Sequence, residues 1–204
     1  MKKYDLILFM GDSYTVGFGQ ADDVYQVITN QNRYSALVSQ YFNLEEVNIA
    51  EAGISNHFIA RTLYNELPNF KNKNINPLVI VSYTSYNRLE ILNETLPYYK
   101  DYLIDSFNEK FNLECSKYYI LSVRALLNSL QMDFIETSSL FKFREAPELI
   151  NNQCLPDDFP TIVGADGCFK GSKNGNEWLG HLNITGHKMI AERIIEKIND
   201  LYIS

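Results

Sequence analysis

The sequence predicts a three-layer α/β/α fold with a mainly parallel central sheet, in one domain that covers residues 1–204. Short apolar runs alternate with amphipathic helical segments, which is the order of elements in α/β proteins. The run Leu78–Tyr83 is apolar almost throughout, as expected for a parallel strand covered on both faces. No repeat, low-complexity tract or linker composition interrupts the chain.

Each element has its own signal. The predicted strands are Tyr4–Phe9, Val47–Ala50, Leu78–Tyr83 and Asp133–Glu136. The predicted helices are Asn32–Phe42, a helix capped by Ser55 or Asn56 that runs to Leu67, a long stretch over 94–130, and the amphipathic Thr185–Tyr202. Loops are expected from Gly17 to Asp23 and over 141–178, where prolines and glycines are frequent. An irregular segment of that length inside a domain usually carries function.

Composition excludes several classes of function. The formal net charge of -7 argues against general binding to nucleic acid or to anionic membranes. The basic start is followed by an apolar run that ends at Gly11, too early for a secretory signal, and no run approaches the roughly 20 apolar residues of a membrane span. The three cysteines are widely spaced and form no CxxC pair. We therefore expect a cytoplasmic protein without a metal or organic cofactor, and nothing indicates its oligomeric state.

The candidate catalytic residues are Ser13 and His181. Ser13 follows the first strand within Gly11-Asp12-Ser13-Tyr14-Thr15, and His181 precedes the last helix. A serine is a useful nucleophile only when a base takes its proton, and a histidine can do this. From the pentapeptide alone, a helix-capping role for Ser13 is equally consistent. Because active sites lie at the carboxyl ends of parallel strands, Ser13, Gly53 and the segment 84–87 should converge on one edge of the sheet.

These residues resemble the SGNH/GDSL hydrolases, a family of serine esterases with a flavodoxin-like fold. The pentapeptide is similar to the first signature block of the family. Gly53 matches the second block, which implies that its N–H contributes to an oxyanion hole together with that of Ser13. His181, in His181-Leu182-Asn183 with Gly186-His187 following, matches the last block and corresponds to the catalytic histidine.

The third block of the family reads Gly-x-Asn-Asp, and this chain departs from it. The central strand is followed by Thr84-Ser85-Tyr86-Asn87-Arg88, without the glycine and with the asparagine shifted by one position. The resemblance implies that Asn87 is the side-chain donor of the oxyanion hole. Thr84 or Ser85 are the alternatives, and Asn87 as a plain turn residue is a further one.

The triad acid is also missing from its expected place. The family carries it three residues before the histidine, where this chain has Trp178, a side chain that cannot accept a hydrogen bond from imidazole. The neighbouring Glu177 is one alternative acid, and Asp166 in the irregular segment is another. A Ser-His dyad oriented by a backbone carbonyl is a third arrangement, and loss of catalysis is the fourth.

The remaining polar residues receive lesser roles. Asp12 is expected to anchor its loop by accepting backbone N–H groups, and Arg88 to pair with Glu90 or Asp12. His187 and His57 are expected to pack rather than to act as bases. The candidate residues that line the substrate site are Asp12, Tyr14, Ser85, Arg88 and Trp178.

The predicted function is hydrolysis of an ester by Ser13 and His181. The resemblance allows O-acetyl groups on sugars, lipids, thioesters and simple aryl esters as substrates. The aromatic-rich chain without a long apolar lid favours a small acyl group, such as an O-acetyl group, on a carbohydrate or similar polar carrier. A small-molecule or glycan ester is therefore the expected partner. A non-catalytic ligand-binding module, an acyltransferase and a lipolytic esterase are the alternatives.

Overall fold

The computed structural model describes residues 3–21, 24–27, 31–88, 109–173 and 176–203, with the backbone alone at 19–21, 24–27, 169–173 and 176–180. Residues 94–108 of the predicted long helical stretch, and Glu90, lie outside the described residues.

The central sheet is parallel, and in the described part of the chain its strands are β1 (Leu6–Met10), β4 (Glu45–Asn48), β5 (Pro77–Tyr83) and β6 (Phe134–Ser138). Their order across the sheet is β4-β1-β5-β6. Every residue of β1 and β5 is buried, because these strands lie at the centre of the sheet and both of their faces are covered. The predicted fold class, including the central strand after residue 77, is confirmed.

Helices cover both faces of the sheet. The helices are α1 (Ser13–Val16), α2 (Tyr34–Phe42), α3 (Asn56–Asn72), α4 (Glu109–Ser129), α5 (Phe159–Val163) and α6 (Ile184–Tyr202). Alternate residues of β1 point to opposite faces, so Leu8 belongs to the core beneath α3 and α4 and Phe9 to the core beneath α2 and α6. The result is the predicted three-layer arrangement.

In the part of the chain that the structure describes, two hairpins extend the fold beyond the sheet. The first pairs β2 (Phe18–Ala21) with β3 (Val24–Val27), and the second pairs β7 (Cys168–Lys173) with β8 (Asn176–Leu182). Both replace parts of predicted loops, because antiparallel pairing satisfies backbone groups in segments whose glycines and polar residues hide a strand pattern. The second hairpin ends just before α6, and His181 is the penultimate residue of its strand β8.

Helices α3 and α4 each have one feature that the sequence pattern does not indicate. Ser55 caps α3 as predicted, accepting the N–H of Phe58 at 3.2 Å, but the helix continues through Pro68 to Asn72 rather than ending at Leu67. Phe70 packs against the core beyond the proline, and this contact favours the added turn. In α4, the apolar Leu121 is 45% exposed, whereas its neighbour Ile120 is fully buried.

No helix in the described ranges combines the length and the apolar character that crossing a bilayer requires.

Candidate active site

Ser13 and His181 lie in direct contact although 168 positions separate them in the sequence. The Ser13 hydroxyl oxygen lies 2.7 Å from His181 Nε2, which is hydrogen-bond distance. Ser13 begins α1 at the carboxyl end of β1, and His181 lies near the end of β8. A serine hydroxyl in contact with an imidazole nitrogen is the arrangement required for proton transfer from a nucleophile to a base.

Asp12 fixes the turn that carries Ser13. Its carboxylate is fully buried, and Oδ1 accepts the N–H of Tyr14 at 3.1 Å as the N-cap of α1. Its Oδ2 accepts hydrogen bonds from Thr84 Oγ1 at 2.8 Å, Ser139 Oγ at 2.9 Å and Arg88 Nη1 at 2.8 Å. A buried charge is costly unless it is hydrogen-bonded and paired, and here both conditions are met. One carboxylate therefore ties together the segments that follow β1, β5 and β6.

Gly11 allows the backbone before Ser13 to approach its neighbours closely. A Cβ built on Gly11 would lie 2.2 Å from Thr15 Oγ1 and 2.9 Å from Ser82 Cβ. Thr15 Oγ1 is itself held, since it accepts a hydrogen bond from the hydroxyl of Tyr34 at 2.8 Å. A side chain at position 11 would therefore push α1 away from β5.

Gly53 lies near the same edge of the sheet, after β4. The backbone beyond β4 continues alongside the exit of β1, because Ile49 N donates to Phe9 O and Glu51 N donates to Gly11 O. Gly53 then adopts φ +79, in the left-handed region that favours glycine. Within the described residues, the Gly53 N–H has no hydrogen-bond acceptor.

The segment after β5 forms a turn held from two sides. Asn56 clamps the backbone of Thr84, donating to its carbonyl and accepting its N–H, each at 2.9 Å. Arg88 N donates to Ser85 O at 3.1 Å, and Asn87 N donates to Ser85 Oγ at 3.3 Å. The Thr84 hydroxyl is fully buried and donates to Asp12, which counts against Thr84 as an oxyanion donor. The side-chain amide of Asn87 has no partner in the described part of the chain.

His181 is surrounded by groups that act on its charge. Burial lowers its pKa below the ordinary value, the negative charge of Asp12 raises it, and the guanidinium of Arg88 lowers it. Its ring packs against Tyr14, with centroids 4.7 Å apart, and against Phe18 at 6.3 Å. Burial also raises the pKa of the Tyr14 phenol, which is therefore uncharged. At neutral pH, His181 is in the neutral form that a general base requires.

The other two histidines pack, as the sequence predicts. His187 is fully buried, stacks on Tyr34 with ring centroids 6.0 Å apart, and accepts the Tyr34 N–H through Nδ1 at 3.2 Å. Burial lowers its pKa to about 3, so it stays neutral. His57 of α3 stacks on Tyr119 of α4, with ring centroids 5.0 Å apart.

The triad acid stays a prediction. Glu177 and Trp178 lie in β8, at positions where the structure describes the backbone alone. Asp166 is exposed, and its carboxylate has no hydrogen-bond or ion-pair partner in the described part of the chain, so nothing ties it to His181. Its carbonyl accepts the side-chain amide of Asn183, which caps α6. Among the described residues, no three His, Cys, Asp or Glu side chains are grouped as a metal site would require.

Comparison with known proteins gives matches at the level of structure. No protein-family model matches the sequence, and no curated protein matches it. A carbohydrate esterase described as having an active site with divergent catalytic and non-catalytic binding functions is similar over 99% of this chain and 67% of its own, with 16% identity and a TM-score of 0.59. A protein attributed to the lipolytic G-D-S-L family, from Desulfitobacterium hafniense, is similar over 95% of this chain and 99% of its own, with 17% identity and a TM-score of 0.55.

A third match is an acetyl xylan esterase from the rumen bacterium Butyrivibrio proteoclasticus. It is similar over 97% of this chain and 64% of its own, with 14% identity and a TM-score of 0.61. The chain has the SGNH/GDSL hydrolase fold. In this SGNH fold, the segments after β1, β4 and β5 meet at one edge of the sheet, and β8 brings His181 to the same place. The chain spans about two thirds of the length of the carbohydrate esterase and the acetyl xylan esterase.

Sequence reasoning missed two residues that build this edge. Ser139 lies just beyond β6 and donates to Asp12 Oδ2. Asn56 clamps Thr84, although the sequence suggested only a helix cap for it. Neither belongs to a recognisable motif. Only the placement of β6 beside β5, and of α3 above them, brings the two side chains to the site.

Proposed function

We propose that this protein is a serine esterase in which Ser13 is the nucleophile and His181 the general base. The observation that carries the proposal is the 2.7 Å contact between Ser13 Oγ and His181 Nε2. The depressed pKa of His181 adds support, because a neutral imidazole is available near pH 7 to take the serine proton.

The reaction follows the acyl-enzyme route. Ser13 Oγ attacks the ester carbonyl while its proton passes to His181 Nε2, and a tetrahedral oxyanion forms. The oxyanion collapses, the alcohol leaves with the proton from His181, and an acyl group remains on Ser13. Water activated by His181 then attacks the acyl carbonyl, releases the carboxylic acid and restores the Ser13 hydroxyl.

Three donors are proposed for the oxyanion. Asp12 accepts the N–H groups of Tyr14, Thr15 and Val16 through its side chain or carbonyl, whereas the Ser13 N–H has no acceptor in the described ranges. The Gly53 N–H and the Asn87 side-chain amide are also without acceptors there. Unpaired donors in segments at the sheet edge that carries the nucleophile support an oxyanion hole, and removing one such donor typically costs about 3–4 kcal/mol of transition-state stabilisation.

Two groups are the alternatives for orienting His181: the Glu177 carboxylate and a backbone carbonyl. Exchange of Glu177 for glutamine separates the two. If Glu177 is the acid, kcat should fall by about 10⁴-fold, because the imidazole loses the carboxylate that holds its tautomer and stabilises the imidazolium. If a backbone carbonyl orients the ring, kcat should change by less than about tenfold.

The proposed substrate is an ester of a small acyl group, such as acetyl, on a carbohydrate or a similar polar carrier. Two of the similar structures are a carbohydrate esterase and an acetyl xylan esterase, which supports this class. Tyr14 is buried and packs on His181, and an enclosed wall of this kind suits a short acyl chain. No residue in this scheme requires a metal or an organic cofactor.

A second candidate function is ligand binding without catalysis. Trp178 occupies the position of the triad acid, and a carbohydrate esterase with this fold is described as having non-catalytic binding functions alongside catalytic ones. An acyltransferase or a lipolytic esterase would use the same serine and histidine and would differ in product.

Labelling with a fluorophosphonate tests the proposal. Such a reagent phosphonylates an activated serine hydroxyl. Peptide mapping should find the label on Ser13 in the wild-type protein, and the Ser13→Ala and His181→Ala variants should remain unlabelled. Absence of label from correctly folded wild-type protein would favour the binding module.

A further inference from the structure

Arg88 is a cation at the mouth of the site with unused hydrogen-bonding capacity. Its guanidinium donates through Nη1 to Asp12 Oδ2, one residue before Ser13, while its side chain remains 29% exposed. In the described part of the chain, its other N–H donors have no acceptor. An arginine carries five such donors in a planar fork, so most of this fork has no acceptor among the described residues.

Asp12 does not need Arg88 to satisfy its hydrogen bonds. The N–H of Tyr14 and the hydroxyls of Thr84 and Ser139 already donate to its two oxygens. Arg88 therefore contributes a positive charge beside Asp12, which already has hydrogen-bond donors for both of its oxygens. Because Asp12 is fully buried and Arg88 is partly exposed, the guanidinium lies on the solvent side of this pair and is the part that a ligand can contact.

The turn that carries Arg88 is built to hold it in place. Arg88 N is bonded to Ser85 O, and Thr84 is clamped by Asn56 on both its N–H and its carbonyl. The charge of Arg88 acts on both His181 and Tyr14, which places the guanidinium within electrostatic reach of the reacting pair. A fork-shaped donor with fixed geometry suits the paired oxygens of a carboxylate or a phosphate.

We propose that Arg88 binds an anionic group, a carboxylate or a phosphate, on the alcohol part of the ester, so that the preferred substrates are acyl esters of acidic carriers. This inference rests on the proposed esterase function and narrows its substrate class. The small acyl group occupies the enclosed side beside Tyr14, and the carrier extends toward solvent, where Arg88 is exposed. In a chain of net charge -7, a local cation is needed to offset the repulsion of an anionic substrate.

Matched acetyl esters test the proposal. The probes are 4-acetoxybenzoate, 4-acetoxyphenyl phosphate and the neutral methyl 4-acetoxybenzoate, measured with wild type, Arg88→Gln and Arg88→Lys. The readout is the ratio of kcat/KM for each anionic ester to that for the neutral ester, which cancels general effects on the catalytic groups. Arg88→Gln should lower this ratio about tenfold or more, because a charge-assisted hydrogen bond is lost. Arg88→Lys should fall between, since it keeps the charge and loses the fork.

Arg193→Gln is the matched control. Arg193 lies on the exposed side of α6, paired with Glu196 at 2.8 Å, and its exchange should leave the ratio unchanged. Whichever anionic ester shows the larger fall identifies carboxylate or phosphate as the preferred group. A ratio in Arg88→Gln equal to that of wild type for both anionic esters would overturn the proposal.

Failure of the esterase function can be recognised separately. If wild type hydrolyses none of the esters, calorimetric titration with 4-hydroxybenzoate and with its methyl ester still tests whether Arg88 binds an anionic group. Tighter binding of the anion by wild type than by Arg88→Gln supports the anion site on a non-catalytic protein. Equal binding by the two proteins contradicts it.

Discussion

Asp12 is the residue on which the geometry of the site depends most. Its carboxylate accepts hydrogen bonds from the turns that follow three strands, and Ser13 is its immediate neighbour. The sequence predicted an anchoring role through backbone N–H groups and a pair with Arg88, and both contacts are present. The partners that follow β5 and β6 could not be predicted, because they depend on which strands become neighbours in the sheet.

The charge balance around His181 makes a prediction for the pH profile. Burial lowers the pKa of His181, so its base form persists below the ordinary pKa of about 6.5. As pH falls through the lowered pKa, His181 is protonated and kcat/KM should decline. The acidic limb of kcat/KM for a neutral ester should therefore have its midpoint below about pH 6.5.

Two variants should move this limb in opposite directions. Asp12→Asn removes a negative charge that favours the imidazolium, so the midpoint should fall further. Arg88→Gln removes a positive charge that opposes the imidazolium, so the midpoint should rise. A midpoint above that of a free histidine in wild type, or shifts of the reversed sign, would contradict the electrostatic description of the site.

Strand β6 illustrates how an element at the edge of the sheet is protected. Residues 153–155, in the predicted loop over 141–178, run alongside β6. Glu136 N donates to Gln153 O, and Leu155 N donates to Glu136 O. Glu136 itself is fully buried and pairs with Arg124 of α4 at 2.6 Å. The pair links α4, β6 and the covering segment, since Arg124 also donates to Leu149 O at 2.8 Å.

Loss of Arg124 should destabilise the protein strongly. Arg124→Met leaves the Glu136 carboxylate buried without its cation, at a cost of about 3–5 kcal/mol in the free energy of unfolding. Arg144→Met is the matched control, because the Arg144 side chain is 71% exposed and its pair with Asp157 should contribute less than about 1 kcal/mol. Urea denaturation monitored by circular dichroism measures both, and equal losses in the two variants would show that Glu136 does not depend on Arg124.

The start of α6 should also be sensitive to substitution, because it has no room for a single added methyl group. A Cβ built on Gly186 would lie 2.0 Å from Gly167 O, so Gly186→Ala must separate α6 from the turn before β7. Although alanine favours helix, this overpacking should reduce the free energy of unfolding by about 1–3 kcal/mol. The exposed neighbour Lys188 provides the control, since Lys188→Ala should change the free energy of unfolding by less than about 0.5 kcal/mol. Thermal unfolding of both variants decides whether Gly186 is needed for this close approach.

Elements with strong local patterns were predicted from the sequence. The signals were the apolar run of β5, the capping residue Ser55 of α3 and the helical spacing of apolar residues in α6. The second hairpin was missed because β7 and β8 satisfy each other by pairing, and no apolar alternation marks them. The extension of α3 beyond Pro68 was missed because tertiary packing of Phe70 outweighs the local preference to end the helix.

At the scale of the whole molecule, the site exists only in the folded chain. Ser13 and His181 belong to opposite ends of the sequence, and the sheet order β4-β1-β5-β6 with the second hairpin brings them to 2.7 Å. The topological rule for parallel sheets was enough to place Ser13, Gly53 and the turn after β5 at one edge. It could not place His181, because β8 lies outside the central sheet.

The central claim is that Ser13 and His181 together hydrolyse an ester, and steady-state hydrolysis of p-nitrophenyl acetate tests it most directly. Ser13→Ala and His181→Ala should each lower kcat/KM by at least about 10³-fold, and the double variant should lose little more, because the two residues act as a unit. Two variants serve as matched controls and should retain wild-type rates. Ser129→Ala removes an exposed serine hydroxyl, and His57→Ala removes a histidine that packs on Tyr119. Wild-type rates in Ser13→Ala, or a wild type no faster than either single variant, would contradict the assignment.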